Sequence, residues 1–145
     1  MKLRSYFLVG VITALVLVVG IGAYLKLKPY RYQGSLIEPP LAAADIRLTD
    51  QDGQPFTLSE QVDAGGRRKV AVIFFGYTHC PDVCPTTLAE FNKIKSQLGD
   101  QSGRVSFIFV TVDPQRDTPE QLRTHLANFD PTFVGLTGTM EQMET

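Results

Sequence analysis

The sequence predicts an α/β domain that is held to a membrane by an N-terminal helix. An uncharged apolar stretch of twenty residues, Tyr6 to Leu25, stands near the start of the chain. Two shorter apolar runs, residues 69–75 and 105–112, are rich in β-branched and aromatic side chains and flank a segment of helical periodicity. A strand, a helix and a strand within about 40 residues form a βαβ unit, which predicts parallel strands joined by a right-handed crossover.

The N-terminal apolar stretch is long enough to cross a bilayer. A helix rises about 1.5 Å per residue, so twenty residues span a hydrocarbon core of roughly 30 Å. The alternative is a cleaved secretory signal, whose apolar region usually has about 7–15 residues and ends at a small-x-small site. Residues 20–22 are the one weak candidate for such a site. We therefore predict an uncleaved anchor over residues 1–28, and the nearly balanced flanking basic residues leave its orientation open.

The remainder of the chain is acidic. Residues 29–145 contain 10 Lys and Arg against 15 Asp and Glu, a net charge of −5. Nucleic-acid binding depends on clustered Lys and Arg, so this balance predicts that nucleic acid is not a partner. The one basic run, residues 67–69, is interpreted as a solvated loop before a strand.

A tether and a hairpin are predicted to follow the anchor. Residues 29–44 are rich in proline and lack periodicity, so we interpret them as an extended tether. The folded domain then occupies residues 45–145. It is expected to begin with a hairpin of strands Ile46–Asp50 and Pro55–Leu58, joined by residues 51–54, in which Asp-Gly supplies the positive φ of a tight turn.

The central βαβ unit consists of two apolar strands and an amphipathic helix. Residues 69–75 form a continuous apolar run, which predicts a strand buried on both faces, and residues 105–112 predict a second one. A helix is predicted from Thr86 to Leu98, with Gly99 at the C-cap. Its apolar positions recur at helical spacing: Leu88, Phe91, Ile94 and Leu98.

Two capping signatures predict further helices. Thr118 suits an N-cap, Pro119 the first helical position and Gln121 the capping-box partner. Residues 132–136 predict a third strand, and residues 139–142 repeat the cap signature at the start of a helix that reaches the end of the sequence. We expect the sheet to be incomplete at the C-terminus, because a parallel sheet seldom exposes an apolar strand at its edge.

Both cysteines of the chain lie between the first apolar strand and the helix, in the segment FFGYTHCPDVCPTTLAE. Cys80 is predicted in the loop that leaves the strand, and Cys84 at the start of the helix. A helix N-terminus carries partial positive charge, which stabilises a thiolate and lowers the thiol pKa. Sites also form in loops at the carboxyl ends of parallel strands. We therefore predict that both thiols are unusually reactive, rather than inert core residues.

Two thiolates on a short loop allow three chemistries. A disulfide is possible, and copper(I) suits soft thiolates because it accepts low coordination. Zinc is the weakest choice, because it takes four ligands and the two histidines lack the spacing of a zinc finger. His79 is expected to be a poor co-ligand because neighbours in an extended loop point apart. His125 is predicted to be an ordinary surface or packing histidine.

Three motifs resemble the Sco/SenC family of membrane-anchored copper proteins. They are FGYTHCPDVCP at residues 75–85, VDPQRDTP at residues 112–119 and GLTG at residues 135–138. The resemblance runs from about Leu48 to the end of the chain, and the N-terminal anchor also fits the family. It implies a thioredoxin-like fold with a parallel or mixed sheet, and a role in building the binuclear copper centre of cytochrome c oxidase.

The resemblance also implies the ligands and the location. Cys80 and Cys84 would bind a copper ion, and the segment Asp113–Pro119 would border the site. The family has a third ligand, a histidine in a segment that would lie beyond Thr145, and neither histidine of this chain matches it. The domain of a bacterial member would face the periplasm from the inner membrane.

Two functions of different classes follow from the dithiol. The first is a copper metallochaperone that passes the ion to the copper-centre subunit of the oxidase. The second is a membrane-anchored thiol-disulfide reductase that keeps the cysteines of that centre reduced, with Cys80 and Cys84 as its redox-active disulfide. A third reading is a tethered thioredoxin-like interaction domain without a metal.

Overall fold

The computed structural model describes residues 2–27 and 34–143 of the chain. The chain divides into two compact units, Met1–Ala42 and Ala43–Thr145. The first unit contains one helix, α1 (Lys2–Leu27), whose segment Tyr6–Leu27 is long and apolar enough to cross a membrane. The predicted apolar helix is therefore confirmed. Residues 34–42 form neither helix nor strand, and the part of the predicted tether at residues 28–33 lies outside the described residues.

The second unit is built on a five-stranded mixed sheet with the strand order β2-β1-β5-β4-β3. Strands β3, β4 and β5 are parallel, and β1 runs antiparallel to both β2 and β5. The strands and helices occur along the chain as β1 (Arg47–Asp50), β2 (Pro55–Thr57), β3 (Val70–Gly76), α2 (Val83–Leu98), β4 (Val105–Thr111), α3 (Pro119–Ala127), β5 (Val134–Thr137) and α4 (Met140–Met143). The predicted α/β class and the parallel βαβ unit are confirmed.

The predicted hairpin is also confirmed. Strands β1 and β2 pair with Leu48 opposite Phe56, and Gly53 in the turn has a φ of 74°. The side chain of Gln51 joins this hairpin to the strand that follows α3. Its amide nitrogen donates to the Phe133 carbonyl at 3.1 Å, and its amide oxygen accepts from the N–H of Gly135 at 2.7 Å.

The prediction of two strands buried on both faces is right for β4 and wrong for β3. Six of the seven residues of β4 are buried, because this strand has hydrogen-bonded neighbours on both sides. Strand β3 lies at the edge of the sheet, where Val70 is 62% exposed and Phe75 is 60% exposed. A continuous apolar run identifies a strand but does not say whether that strand is central or at an edge.

Strand β4 separates two apolar clusters, one on each face of the sheet. Phe107 and Phe109 point to the face covered by α2 and α3, whereas Ile108 and Val110 point to the other. The helical face holds the larger core, which consists of Cys84, Leu88, Phe91, Phe107, Phe109, Leu122, Leu126 and Phe133. Cys84, in the first turn of α2, thus lies in the main hydrophobic core together with Leu88 and Phe91 of the same helix.

Helix α2 follows the predicted pattern, with one shifted boundary. Helix α2 begins at Val83 rather than Thr86, since Pro85 fits in a first turn where no N–H bond is needed. Its C-cap is Gly99 with a φ of 51°, as predicted.

Thr118 and Thr139 cap their helices as predicted, whereas the predicted capping-box role of Gln121 is wrong, because the Thr118 N–H donates to the Arg116 carbonyl at 3.2 Å. The N–H of Gln121 donates to the Thr118 hydroxyl at 3.3 Å, and Pro119 opens α3. At the start of α4 the capping box is reciprocal. The Thr139 N–H donates to the side chain of Gln142 at 2.8 Å, and the Gln142 N–H donates to the Thr139 hydroxyl at 3.2 Å.

Candidate functional site

The paired cysteines lie at the carboxyl end of β3, where the chain turns into α2. The connecting residues 77–82, called here the thiol loop, carry Cys80 in a partly exposed position. Cys84 lies in the first turn of α2 and is 4% exposed. Both are free thiols, and Cys80 packs against the core cluster that contains Cys84. The predicted placement of both residues is confirmed.

Cys80 is the activated thiol of the pair. Its pKa falls from 9.0 to about 7, chiefly because the backbone N–H groups of Asp82 and Cys84 donate to its sulfur. The Cys84 thiol and the N–H of Val83 contribute in the same direction. First-turn N–H groups have no partner within a helix, so they are free to stabilise a thiolate there. The predicted activation is confirmed for Cys80.

Cys84 behaves in the opposite way, so the prediction of two activated thiols is wrong for this residue. Burial raises the pKa of Cys84, and the hydrogen bond and charge of Cys80 raise it further. The negative charge of Asp117 acts in the same direction, whereas a backbone hydrogen bond with Tyr77 lowers it. Burial favours the neutral thiol because desolvation disfavours the charged form. The site therefore contains one accessible, acidic thiol and one buried, protonated thiol.

Gly76, the last residue of β3, makes room for the buried thiol. A Cβ atom at this position would stand 2.9 Å from the sulfur of Cys84 and 2.8 Å from Cε2 of Phe109. Both distances are shorter than a van der Waals contact, so a larger side chain would displace Cys84 or the ring. Gly76 belongs to the motif at residues 75–85, and no role was predicted for it.

Asp117 connects the thiol loop to the end of β4. Its side chain is fully buried and accepts three hydrogen bonds. Its Oδ2 accepts from the Thr78 N–H at 2.9 Å and from the Thr111 hydroxyl at 2.6 Å, and its Oδ1 accepts from the Thr78 hydroxyl at 2.6 Å. The resemblance placed the segment Asp113–Pro119 at the border of the site. Thr78 and Thr111 were not predicted as site residues, because nothing in the local pattern around either residue marks a distant carboxylate.

Polar side chains form the rim near Cys80. The charge of the Cys80 sulfur and a hydrogen bond to it raise the pKa of Tyr77. Arg116 forms an ion pair with Asp113 in the turn after β4, and that bond raises the pKa of Arg116. The phenol of Tyr77 therefore stands close to the accessible thiol, and the guanidinium of Arg116 stands close to that phenol.

Neither histidine is a clear third ligand. The side chain of His79 is 58% exposed, and its Nδ1 lies 3.0 Å from the Thr78 hydroxyl and 3.9 Å from Oδ1 of Asp117. The ring of His125 packs between Phe109 and Phe129, with centroid distances of 6.0 and 5.5 Å, and burial lowers its pKa. The prediction of a packing histidine is confirmed for His125.

The donor set that the structure brings together is a pair of sulfurs. Among residues 2–27 and 34–143, no group of three or more His, Cys, Asp and Glu side chains is placed to hold a metal ion. Two thiolates without further ligands suit copper(I), a soft ion that accepts low coordination, better than zinc, which takes four ligands in structural sites.

Comparisons with known proteins point to one family. A family model described as SCO1/SenC matches residues 36–145. A protein of Stutzerimonas stutzeri that is named for copper binding is 39% identical over 104 residues, which are 71% of this chain and 48% of that protein. The chain thus spans about half the length of this relative.

Two solved structures share the fold. The copper-bound structure of ScoI from Bradyrhizobium japonicum has a TM-score of 0.61 and 40% identity, over 70% of this chain and 61% of that one. The structure of BsSco, described as a Sco-family cytochrome c oxidase assembly protein with a disulfide switch, has a TM-score of 0.54 and 26% identity, over 70% of this chain and 57% of that one. The expected thioredoxin-like α/β fold is thereby confirmed.

Proposed function

This chain belongs to the SCO1/SenC family, and we propose that it is a copper metallochaperone that acts in the assembly of cytochrome c oxidase. In this proposal Cys80 and Cys84 bind copper(I), and the protein passes the ion to the subunit that carries the binuclear copper centre. The copper-bound structure of ScoI and the role of BsSco in cytochrome c oxidase assembly support the proposal.

The observation that carries the proposal is the pair of unequal thiols where the thiol loop enters α2. With a pKa of about 7, Cys80 is substantially deprotonated at neutral pH and supplies a thiolate without an external base. Cys84 is held beside it in the core, and its proton must leave when the second sulfur becomes a ligand. Cys80 is partly exposed and Cys84 is buried. One accessible ligand and one buried ligand suit a protein that must both accept a copper ion and pass it on.

We further propose that α1 anchors the protein in the inner membrane of a bacterium, with the second unit in the periplasm. The length and apolar composition of Tyr6–Leu27 support a single membrane-spanning helix.

A copper(I) titration of the reduced full-length protein, against a competing chelator of known affinity, tests this function. We expect one copper ion per chain, and we expect Cys80→Ser and Cys84→Ser each to abolish competitive binding. Met140→Leu removes an exposed sulfur on α4 and serves as the matched control, which should bind as the wild type does. Unchanged binding in both cysteine variants would contradict the proposal.

The alternative is a thiol-disulfide reductase for the cysteines of the oxidase copper centre. An accessible thiolate beside a protonated partner can attack a disulfide, after which the partner thiol resolves the mixed disulfide. This activity does not require copper. The same preparation should therefore be mixed, without metal, with a disulfide-bonded peptide from a copper centre. Rapid reduction of the peptide by a protein that does not bind copper would favour the alternative.

A further inference from the structure

We propose that Asp117 is a positioning residue for Cys80, and that its buried carboxylate sets the distance between the two sulfurs by holding the thiol loop through Thr78. The inference deepens the proposed function, because it concerns how the same pair of sulfurs is kept ready for a metal ion.

Thr78 is attached to Asp117 by two hydrogen bonds. The Asp117 carboxylate accepts both the backbone N–H and the hydroxyl of Thr78, at 2.9 and 2.6 Å. These two bonds fix the backbone and the side chain of a residue only two positions before Cys80. Hydrogen bonds to an ionised carboxylate are roughly twice as strong as neutral ones, and burial strengthens them further.

Asp117 is itself held firmly. Its Oδ2 accepts from the hydroxyl of Thr111, the last residue of the central strand β4, and its backbone N–H donates to the Asp113 carbonyl at 2.9 Å. The Thr111 hydroxyl also accepts from the Asp113 N–H at 2.9 Å. Asp117 therefore links the thiol loop to the most buried strand of the sheet.

The two ends of the cysteine segment contrast with each other. Cys84 is fixed by α2 and by its packing in the core. The backbone hydrogen bond described within the thiol loop itself is a 3.2 Å contact between the Cys80 N–H and the Tyr77 carbonyl. Backbone N–H groups at the start of α2 face the Cys80 sulfur, and the two bonds between Asp117 and Thr78, called here the clamp, hold the backbone that carries it. The position of this sulfur relative to Cys84 therefore depends on the clamp as well as on the start of α2.

Three variants separate positioning from general stability. Asp117→Ala removes every bond of the clamp, and Thr78→Val removes the hydroxyl bond but keeps the backbone bond. Asp117→Asn keeps the shape of the carboxylate. Its oxygen can accept from the Thr78 N–H and the Thr111 hydroxyl, while its amide donates to the Thr78 hydroxyl, which can act as an acceptor.

Asp130→Ala is the matched control. The Asp130 carboxylate is largely buried and likewise accepts several hydrogen bonds, from Lys95 at 2.5 Å and from the backbone and hydroxyl of Thr132 at 2.8 and 2.7 Å. These partners belong to the far end of α2 and to the segment before β5. Its removal therefore reports the general effect of losing a bonded carboxylate.

Two measurements on the full-length protein are compared across these variants. The first is the equilibrium of the Cys80–Cys84 disulfide with glutathione in the absence of metal, which reports how closely the sulfurs are held. The second is copper(I) affinity in competition with a chelator. Loss of a residue that orients a metal ligand typically lowers affinity about 10- to 100-fold.

We expect Asp117→Ala to weaken both the disulfide and copper binding by about 10- to 100-fold relative to Asp130→Ala, with Thr78→Val intermediate. Asp117→Asn should restore both values towards those of the wild type. The inference would be overturned if the disulfide equilibria of Asp117→Ala and Thr78→Val matched that of Asp130→Ala. If Asp117→Ala fails to fold, the comparison of Thr78→Val with Asp130→Ala decides between the two outcomes. A shifted disulfide equilibrium in a protein that never binds copper would support positioning while refuting the proposed function.

Discussion

The two cysteines are separated by three residues, yet the structure holds them in different ways. Cys84 belongs to the hydrophobic core, where it packs beneath Gly76 and beside Phe109. Cys80 lies on a loop whose geometry depends on hydrogen bonds to the buried carboxylate of Asp117. Packing around Cys84, called here the apolar side of the site, therefore fixes one sulfur by its shape. The hydrogen bonds between Thr78 and Asp117, called here the polar side, hold the loop that carries the other sulfur. The acidity has its own cause: backbone N–H groups at the start of α2 lower the pKa of Cys80, whereas burial raises the pKa of Cys84.

The largest effect is expected on the apolar side, from the loss of the Phe109 ring. Phe109→Ala would leave a cavity next to Cys84, and such truncations cost about 3–5 kcal/mol of unfolding free energy. Urea unfolding of the reduced protein measures this loss. The matched control is Phe75→Ala on the edge strand, where the ring is mostly exposed and the change should be within about 0.5 kcal/mol. Equal losses at both positions would contradict the arrangement of the core.

A smaller effect on the same side is expected when Gly76 gains a methyl group. Gly76→Ala would force Cys84 and Phe109 apart, and overpacking of this kind typically costs about 1–3 kcal/mol. Copper(I) affinity should fall as well, because Cys84 is displaced. Gly103→Ala is the control, since a Cβ at that position meets no atom within 4 Å. The measurements are the unfolding free energy and the copper(I) affinity of both variants. If Gly76→Ala and Gly103→Ala gave the same values, the role of Gly76 would be refuted.

The difference between the thiols should appear directly in their pH dependence. In Cys84→Ser, alkylation of Cys80 should rise with a midpoint near the pKa of about 7. In Cys80→Ser, alkylation of Cys84 should require a pH above 9.0, because burial raises its pKa. Rates measured against pH with a small alkylating reagent test both expectations. Coinciding midpoints would show that the two environments are equivalent.

The same shifts predict a pH dependence of stability for the reduced protein. The pKa of Cys80 is lower in the folded state, so its contribution to stability is full above the unfolded value of 9.0 and is lost as the pH falls through about 7. Stability should therefore increase between pH 7 and pH 9 in the wild type more than in Cys80→Ser. Unfolding midpoints across this range provide the measurement, and parallel curves would contradict the shift.

The smallest effect is expected at the exposed rim of the polar side. Arg116 pairs with Asp113 at the surface, and exposed ion pairs contribute little to stability. Arg116→Ala should leave the unfolding midpoint and the disulfide equilibrium nearly unchanged, in contrast to Asp117→Ala. A large shift of the disulfide equilibrium in this variant would mean that the rim, and not the buried carboxylate, positions Cys80.

Much of the fold was predictable because its signals are local. The apolar run of α1, the Asp-Gly turn before β2 and the caps at Thr118 and Thr139 each lie within a few neighbouring residues, and the structure confirms all of them. The positions of both cysteines between β3 and α2 were predictable for the same reason. Local hydrogen bonds and side-chain periodicity determine these features, so a linear pattern is sufficient to detect them.

Other features depend on contacts between distant segments. Whether β3 is central or at an edge depends on the strand order, and the burial of Cys84 depends on which way the first turn of α2 faces the core. The bonds between Thr78 and Asp117 join residues 39 positions apart. The sequence by itself determined the elements and the dithiol motif. Only the tertiary structure decided which thiol is acidic, because desolvation and directed hydrogen bonds arise when the chain packs.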